Sequence, residues 1–259
     1  MKLWKKIILG LMPYGFIKKI LPRIKYKSLS RRKYKGYKPG GGGITDKMLQ
    51  YFNFVKNGTN IKVKNVFEIG ANFAQDADFL RELFTLTPRD VYVFEAHPDI
   101  FKAITQIHSF NAYNNAVYNE NKKIPFYIFP LGYKDPGQSS IHKIWTDTKE
   151  IQVQAIRMDD FMEAHGVGKI DFLKIDVEGV TYEVLEGFGK RLKDVNCVQL
   201  EAEHGENNVP GNWVLYDKIE DILKQHGFEL IFFERNNGML QSDSFWVQKG
   251  CIKYTSAYI

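Results

Sequence analysis

The chain has 259 residues, of which 44% are hydrophobic and 25% are charged, a composition typical of a folded protein with one large α/β domain. Its two cysteines, Cys197 and Cys251, exclude a disulfide-stabilised scaffold and indicate a reducing cytoplasm. The formal net charge is +6, but residues 1–45 contain 13 lysines and arginines and no acid, so subtracting these 13 charges leaves the remainder at −7. An acidic body disfavours nucleic acid as a partner, because phosphate binding requires basic residues around the cleft.

Residues 1–43 are predicted to form a basic N-terminal arm. Its apolar stretch, residues 7–17, is shorter than the roughly 20 residues that a helix needs to span a bilayer. Pro13 and the pair Lys18-Lys19 interrupt it, and no small-residue cleavage site follows, which argues against a signal peptide.

The amphipathic part of this arm favours contact with a membrane surface. Trp4 and its flanking lysines suit an anionic surface, so we expect peripheral contact of residues 1–38 with the inner face of a membrane. A solvated tail, or a helix docked on the acidic body, is the alternative. Gly40 to Gly43 are typical of a flexible hinge, so the folded domain is predicted to comprise residues 44–259.

After a predicted lead-in helix over residues 45–56, patterns of strands and helices alternate along the chain. This alternation predicts a doubly wound, Rossmann-like α/β sheet with helices on both faces, in which ligands bind beyond the carboxyl ends of the strands. Strands are predicted near residues 64–69, 91–95, 112–118, 124–129, 151–156, 170–175, 195–201, 228–233 and 243–248, and helices near 74–86, 98–108, 158–165, 179–189 and 213–226.

The first predicted strand ends in an acid and a glycine turn, and the second ends in another acid. Glu68, Gly70 and Asn72 occupy the turn, and Glu95 follows the second strand, where a carboxylate can accept hydrogen bonds from a ribose diol. The dinucleotide fingerprint has three glycines, and here only Gly70 is present. A pyrophosphate is therefore disfavoured, and an adenosyl ligand without phosphates, such as S-adenosylmethionine, suits the loop better.

Further polar residues follow two later strands. Asp176 and Glu178 come after the strand predicted at 170–175, and Glu201, Glu203 and His204 lie at the end of the strand predicted at 195–201. The carboxyl ends of parallel strands meet at one edge of a sheet. We therefore expect these groups to surround a single crevice.

Several motifs together resemble the FkbM family of S-adenosylmethionine-dependent methyltransferases over residues 64–204. The most specific is Lys174-Ile175-Asp176-Val177-Glu178-Gly179, and the others are Phe67-Glu68-Ile69-Gly70-Ala71-Asn72, Phe94-Glu95-Ala96-His97-Pro98, Asn115-Ala116-Val117, Met158-Asp159-Asp160-Phe161 and Glu183-Val184-Leu185-Glu186-Gly187. Ala74 departs from the family pattern, in which a second glycine is usual. The resemblance implies S-adenosylmethionine as cofactor and O-methylation of a sugar, a glycan or a related small molecule.

The resemblance also implies roles for individual residues. Glu68, Gly70 and Asn72 would border the methionine part of the cofactor, and Glu95 would hold the ribose. Asn115 and Ala116 would border the adenine, and Asp176 is placed on the cofactor side as well.

An aliphatic hydroxyl becomes a good nucleophile only when it loses its proton, so O-methylation benefits from a general base. The catalytic residues predicted for this step are Asp176, Glu178 and His204. Asp176 and Glu178 could instead bind a divalent cation, but we expect no metal requirement. We also expect the loop 130–140 and Trp213 to contact the acceptor.

Two other functions fit the same patterns. A non-catalytic Rossmann-like binding module could be recruited to membranes by the basic arm. An RNA methyltransferase is a weaker alternative, since Lys174 and Glu178 match only part of the catalytic set of that class and the body of the chain is acidic.

Overall fold

The computed structural model describes residues 44–129, 136–204, 215–235 and 241–253. The arm predicted over residues 1–43, the first half of the loop predicted at 130–140, and Trp213 lie outside these ranges, so the expectations about them stay predictions. In the part of the chain that is described, no helix is both long and apolar enough to cross a membrane.

Strands and helices alternate along the chain as the sequence predicts. The helices are α1 Ile44–Gly58, α2 Gln75–Phe84, α3 Pro98–Ile107, α4 Met158–Ala164, α5 Thr181–Glu186 and α6 Tyr216–Gln225. The strands are β1 Val66–Ile69, β2 Val91–Phe94, β3 Asn111–Tyr113, β4 Ala116–Val117, β5 Lys123–Ile128, β6 Lys149–Ile156, β7 Ile170–Ile175, β8 Val195–Glu203, β9 Phe228–Arg235 and β10 Gln241–Gln248. Contacts divide the chain into a unit that ends at Thr59, which contains α1, and a unit from Asn60 onward, which contains every strand.

The main sheet has seven strands in the order β3-β2-β1-β7-β8-β10-β9. The pairs from β3 to β8 are parallel, whereas β10 is antiparallel to both β8 and β9. The chain leaves β1 toward β2 on one side and later fills the other side from β7 onward. The order therefore reverses between β1 and β7, and at such a switch point a crevice opens beyond the strand ends. The predicted doubly wound sheet is confirmed.

Helices cover both faces of this sheet. Side chains alternate along a strand, so Phe67 and Ile69 of β1 face the core that includes residues of α4, α5 and α6. Glu68 lies on the opposite face, where its carboxylate accepts a hydrogen bond from the backbone of α2 at Ala77. The fully buried strand β7 accordingly reads as a nearly continuous apolar run.

One predicted strand is wrong, because residues 112–118 form two strands in two sheets. β3 joins the main sheet, whereas β4 pairs with β6 in a three-stranded sheet of order β4-β6-β5. The break is at Asn114, whose side-chain amide donates to the carbonyls of Glu95 (2.8 Å) and Ala96 (3.2 Å). These bonds tie the break to the loop after β2, and the small sheet then packs on a cluster of its own.

The loop after β1 closes tightly against its neighbours. The N–H groups of Gly70 and Ala71 both donate to the carbonyl of Phe94 at 3.0 Å, and the N–H of Asp176 donates to the carbonyl of Ile69 at 2.9 Å. Gly70 has a φ of +76°, and a Cβ at this position would lie 2.0 Å from the carbonyl oxygen of Asp176. Only glycine fits here, on grounds of both backbone angle and space.

We predict that Gly70→Ala lowers the free energy of unfolding by about 2–5 kcal/mol, from a strained backbone angle together with overpacking. Urea denaturation measures this loss. Gly168→Ala is the matched control, because nothing lies within 4 Å of its added Cβ. Equal urea midpoints for the two variants would show that the loops after β1 and β7 do not pack tightly against each other.

Candidate active site

A cavity opens at the switch point, beyond the carboxyl ends of β1, β2 and β7. Together with the open space at its mouth, it has a volume of about 580 Å³. It is lined by Ile69, Gly70, Asn72, Phe94, Glu95, Ala96, Asn115, Ala116, Val117, Phe126, Gly137, Ser139, Ser140, Ile141, Asp176, Val177, Glu178 and Val180.

The structure brings most of the predicted site residues to this one cavity. Those that line it are Gly70, Asn72, Glu95, Asn115, Ala116, Asp176 and Glu178. Two others, Glu68 and His204, are not among the residues that line it. The roles assigned to the lining residues remain predictions, because lining the cavity does not by itself establish a role.

Glu95 presents a buried carboxylate between two loops. Its Oε1 accepts a hydrogen bond from the N–H of His97 (2.8 Å), and its Oε2 accepts one from the N–H of Asn72 (2.7 Å). Each oxygen has a second lone pair, so the carboxylate can also accept the two hydroxyls of a ribose. Burial raises the pKa of Glu95 to about 7, against the opposing effect of the backbone hydrogen bonds.

Asn72 fits an adenosyl amino acid in the same cavity. Its side-chain Oδ1 is buried and has no hydrogen-bond partner among the described residues, so a ligand that donates a hydrogen bond would satisfy it. The α-ammonium of S-adenosylmethionine is such a donor. The Glu95 carboxylate in the same cavity can accept ribose hydroxyls, so the residues present fit this cofactor.

The backbone of this loop is strained at two positions that are not glycine. Asn72 has a φ of 47° and Ala74 has a φ of 55°. For alanine this left-handed conformation costs roughly 1–2 kcal/mol. The alanine that departs from the family pattern therefore keeps the backbone conformation that glycine would adopt.

Glu68 does not line the cavity. Its side chain is 1% exposed and lies beneath the loop, where Oε2 accepts the N–H of Ala77 at 3.0 Å and Oε1 lies 3.3 Å from Nζ of Lys174. Glu68 precedes the end of β1 by one residue, so it faces the sheet surface covered by α2, while the cavity lies beyond the strand. It supports the loop from below.

Lys174 lies at the centre of a buried cluster of charged side chains. Its Nζ lies 2.6 Å from Asp176, 2.9 Å from Asp76 and 3.3 Å from Glu68, and the residue is 3% exposed. Burial alone would lower the pKa of Lys174, but the three carboxylates together raise it well above its usual value. Burial raises the pKa of Glu68. A charged residue at an inward position of an apolar strand is the sequence signal for this cluster.

Described residues of the connection between β5 and β6 also line the cavity. Ser139 and Ser140 line it, and the Oγ of Ser140 donates to the carbonyl of Glu178 at 2.8 Å. The N–H of Phe129 donates to the Oγ of Ser139 at 3.4 Å. The described part of the predicted acceptor loop therefore borders the cavity and is tied to the segment that follows β7.

His204 does not line the cavity either and contacts Ser242 and Tyr216. Its Nε2 hydrogen-bonds the Oγ of Ser242 at 2.6 Å, and its ring stacks on Tyr216 at 4.8 Å. Burial, followed by the charge of Arg235, lowers the pKa of His204. β10 pairs with β8 antiparallel, so the end of β8 lies against β10 and α6. His204, the next residue after β8, therefore contacts these two elements.

The acids predicted at the end of β8 form a group beside the cavity. Glu201 lies opposite Asp243 in the β8–β10 register. Burial, followed by the charges of Asp176, Glu178, Asp243 and Glu203, raises the pKa of Glu201 to about 9. Burial also raises the pKa of Glu203 to about 7. Among the described residues, no group of three or more His, Cys, Asp or Glu side chains is arranged to hold a metal ion.

The family model of the methyltransferase FkbM domain matches residues 68–230, more than half of the chain. The hexuronic acid methyltransferase AglP of Haloferax volcanii is 26% identical over 153 residues, which are 54% of this chain and 56% of that protein. The chain thus matches about half the length of this curated relative.

Solved structures show more distant likenesses. The methyltransferase FkbM from Methylobacillus flagellatus has a TM-score of 0.45 at 11% identity, over 90% of this chain and 60% of that chain. A putative RNA methyltransferase from Pyrococcus horikoshii has a TM-score of 0.46 at 12% identity, over 90% of this chain and 98% of that chain. TrmK of M. capricolum, in complex with S-adenosylhomocysteine, has a TM-score of 0.42 at 9% identity, over 80% of this chain and 71% of that chain.

We predict that the affinity for S-adenosylmethionine rises about tenfold between pH 6 and pH 8, from a Glu95 pKa of about 7. Ribose hydroxyls donate to the ionised carboxylate, so below pH 7 binding must first remove a proton. Calorimetric titration at several pH values measures this dependence.

Glu95→Gln is the control for that experiment. We expect it to weaken binding about tenfold at pH 8 and to flatten the pH dependence, because the amide does not titrate. A pH dependence that persists in this variant would assign the titration to another group, such as the amino group of the cofactor.

We predict that Lys174→Met lowers the free energy of unfolding by about 3–5 kcal/mol near neutral pH, since it leaves buried carboxylates without their cation. The loss should be smaller at pH 5 than at pH 8. The folded-state pKa of Glu68 is raised, so the folded variant holds protons that the unfolded chain releases, and stability falls as pH rises. Denaturant titrations of this variant and of the exposed control Lys123→Met test the prediction; equal losses would contradict it.

Proposed function

The chain belongs to the FkbM methyltransferase family, and on that premise we propose that it transfers a methyl group from S-adenosylmethionine to a hydroxyl of a sugar or glycan. It is an S-adenosylmethionine-dependent methyltransferase by family. The choice of a hydroxyl acceptor on a sugar is the part that we propose.

The observation that carries the proposal is that Asn72, Glu95, Asp176 and Glu178 line a single cavity. We assign Asn72 and Glu95 to the cofactor, and Asp176 and Glu178 to removal of the proton from the acceptor. When bound, S-adenosylmethionine supplies an electrophilic methyl group together with a neutral thioether leaving group. The chain must then hold the acceptor oxygen in line with that methyl group and remove its proton.

Because His204 does not line the cavity, we assign the role of general base to a carboxylate. Asp176 or Glu178 takes the proton of the acceptor hydroxyl as its oxygen attacks. Lys174 holds Oδ2 of Asp176 at 2.6 Å, while the side chain of Asp176 is still 40% exposed. This side chain is thus fixed at one oxygen and accessible from the cavity.

The class of acceptor is supported by the curated relative. AglP is named as a methyltransferase of a hexuronic acid, which is a sugar with hydroxyl groups. Ser139 and Ser140, which also line the cavity, carry hydroxyls of the kind that can hydrogen-bond a polyhydroxylated acceptor. Peripheral membrane contact through residues 1–38, at the inner face of a membrane, is part of the same proposal and is supported by Trp4 and the clustered lysines.

We predict turnover of S-adenosylmethionine when the protein is incubated with sugar acceptors. Mass spectrometry should detect S-adenosylhomocysteine and a product 14 daltons heavier than its acceptor, consistent with one added methylene equivalent. Either Asp176→Asn or Glu178→Gln should lower kcat about 100-fold, as expected for removal of a general base.

The exposed Glu163→Gln is the matched control and should keep its kcat. Absence of binding to both S-adenosylmethionine and S-adenosylhomocysteine at millimolar concentration would contradict the enzyme function and favour a non-catalytic binding module. Full activity in both Asp176→Asn and Glu178→Gln would reject a carboxylate base.

A further inference from the structure

The peptide group between Glu178 and Gly179 lies in the loop that connects β7 with α5. Glu178 lines the cavity and is one of the two carboxylates that we assign to removal of the acceptor proton. Gly179 has a φ of +83°, in the left-handed region that glycine enters without steric cost. A glycine restricts the backbone little, so contacts from neighbouring elements must fix the position of Glu178.

Two hydrogen bonds hold this one peptide group at its opposite edges. Its carbonyl oxygen, which belongs to Glu178, accepts a hydrogen bond from the Oγ of Ser140 at 2.8 Å. Its N–H, which belongs to Gly179, donates to Oε1 of Glu203 at 3.2 Å. A peptide group is planar and its plane includes the Cα atoms of both residues. The two bonds, here called the peptide clamp, therefore fix the plane from which the side chain of Glu178 extends.

Both side chains of the peptide clamp are themselves held in place. Glu203 is the last residue of β8 in the main sheet, and it is 2% exposed. Ser140 is 3% exposed, and its Oγ also accepts the N–H of His142 at 3.0 Å. The backbone of Ser140 exchanges two hydrogen bonds with Tyr127 of β5, at 2.7 and 3.1 Å. The peptide clamp thus fastens the loop after β7 to both sheets.

Glu203 does not line the cavity, so any effect that it has on the reaction passes through the groups it contacts. Burial raises the pKa of Glu203 to about 7, so its charged and neutral forms both occur near neutral pH. Each form has an oxygen that accepts a hydrogen bond. The contact with Gly179 therefore requires an acceptor oxygen at this position and not a negative charge.

We propose that Glu203 is a positioning residue for methyl transfer, which acts together with Ser140 through the Glu178–Gly179 peptide. The peptide clamp places the carboxylate of Glu178 within reach of the acceptor hydroxyl. This inference rests on the proposed function and deepens it, since it assigns the proton transfer to Glu178. A displacement of about 1 Å at a reacting group lowers a rate up to about 100-fold, so a bond to the backbone is sufficient to affect kcat.

We predict that Glu203→Met lowers kcat about tenfold, because it removes the acceptor oxygen from the peptide clamp. The affinity for S-adenosylmethionine should be unchanged. Glu203→Gln keeps an acceptor oxygen and should restore kcat to within about threefold of the unmodified protein. S-adenosylhomocysteine formation with the methyl glycosides of glucose and glucuronic acid measures kcat, and calorimetry measures the affinity. Equal losses of kcat in the two variants, or a matching loss of cofactor affinity, would overturn the inference.

A double-mutant cycle tests whether the two side chains act on the same peptide group. Ser140→Ala should also lower kcat about tenfold, and the double variant with Glu203→Met should be no more than about threefold worse than the poorer single variant. If the losses multiply, the two residues act separately and the inference fails. A contact of Ser140 with the acceptor alone would give this second result.

Val195→Ala is the control for a general loss of stability. Val195 is fully buried at the other end of β8 and does not line the cavity, so its variant should unfold more easily and keep its kcat. An equal loss of kcat in this control would count against the inference. If Glu203→Met does not fold, Glu203→Asp replaces it. This variant keeps the charge but shortens the side chain, and it should still lower kcat about tenfold; full activity would overturn the inference.

Hydrogen exchange tests the peptide clamp without turnover. In Glu203→Met the amide of Gly179 should exchange about tenfold faster, and in Glu203→Gln it should stay protected. Unchanged exchange in Glu203→Met would overturn the inference. If neither sugar is methylated, the proposed function fails for these acceptors and the exchange measurement decides the inference. Full activity of Glu178→Gln beside a loss in Asp176→Asn would overturn the inference and leave the proposed function intact.

Discussion

One buried ammonium group connects the elements that form the cavity. Lys174 is on β7, and its three partners are on β1, at the start of α2 and in the loop after β7. The register that places Lys174 beside Glu68 makes this contact a direct result of strand pairing. Because desolvating a charge is costly unless it is paired, the loops after β1 and β7 are held in one relative position. The cavity lies between those two loops.

The same region contains strained backbone that this support keeps in place. Asn72 and Ala74 adopt left-handed conformations, and Gly70 leaves no room for a side chain against Asp176. Strain of this kind persists where the surrounding structure fixes it, and it is common at ligand sites. The N–H of Asn72 is thereby directed at Glu95, and this hydrogen bond orients the carboxylate that we assign to the ribose.

The sequence is sufficient to predict elements and their order but not the direction of each side chain. Strand β7 occurs at the predicted residues 170–175, and Glu95, Asp176 and Glu178 lie at one cavity, because strand ends converge in a parallel sheet. Glu68 does not line the cavity, because a strand end gives a position along the chain and not a face. His204 does not line it either, because the antiparallel pairing of β8 with β10 brings it to Ser242, 38 positions away, and leaves no local pattern.

The chain passes from the seven-stranded sheet to the small sheet at Asn114, whose side-chain amide ties the crossing to the loop after β2. Loops at the strand ends of the larger sheet supply Glu95, Asp176 and Glu178 to the cavity, whereas Ser139 and Ser140 come from the connection between β5 and β6. A change in that connection need not alter the strand register of the larger sheet, so the two contributions to the cavity are modular.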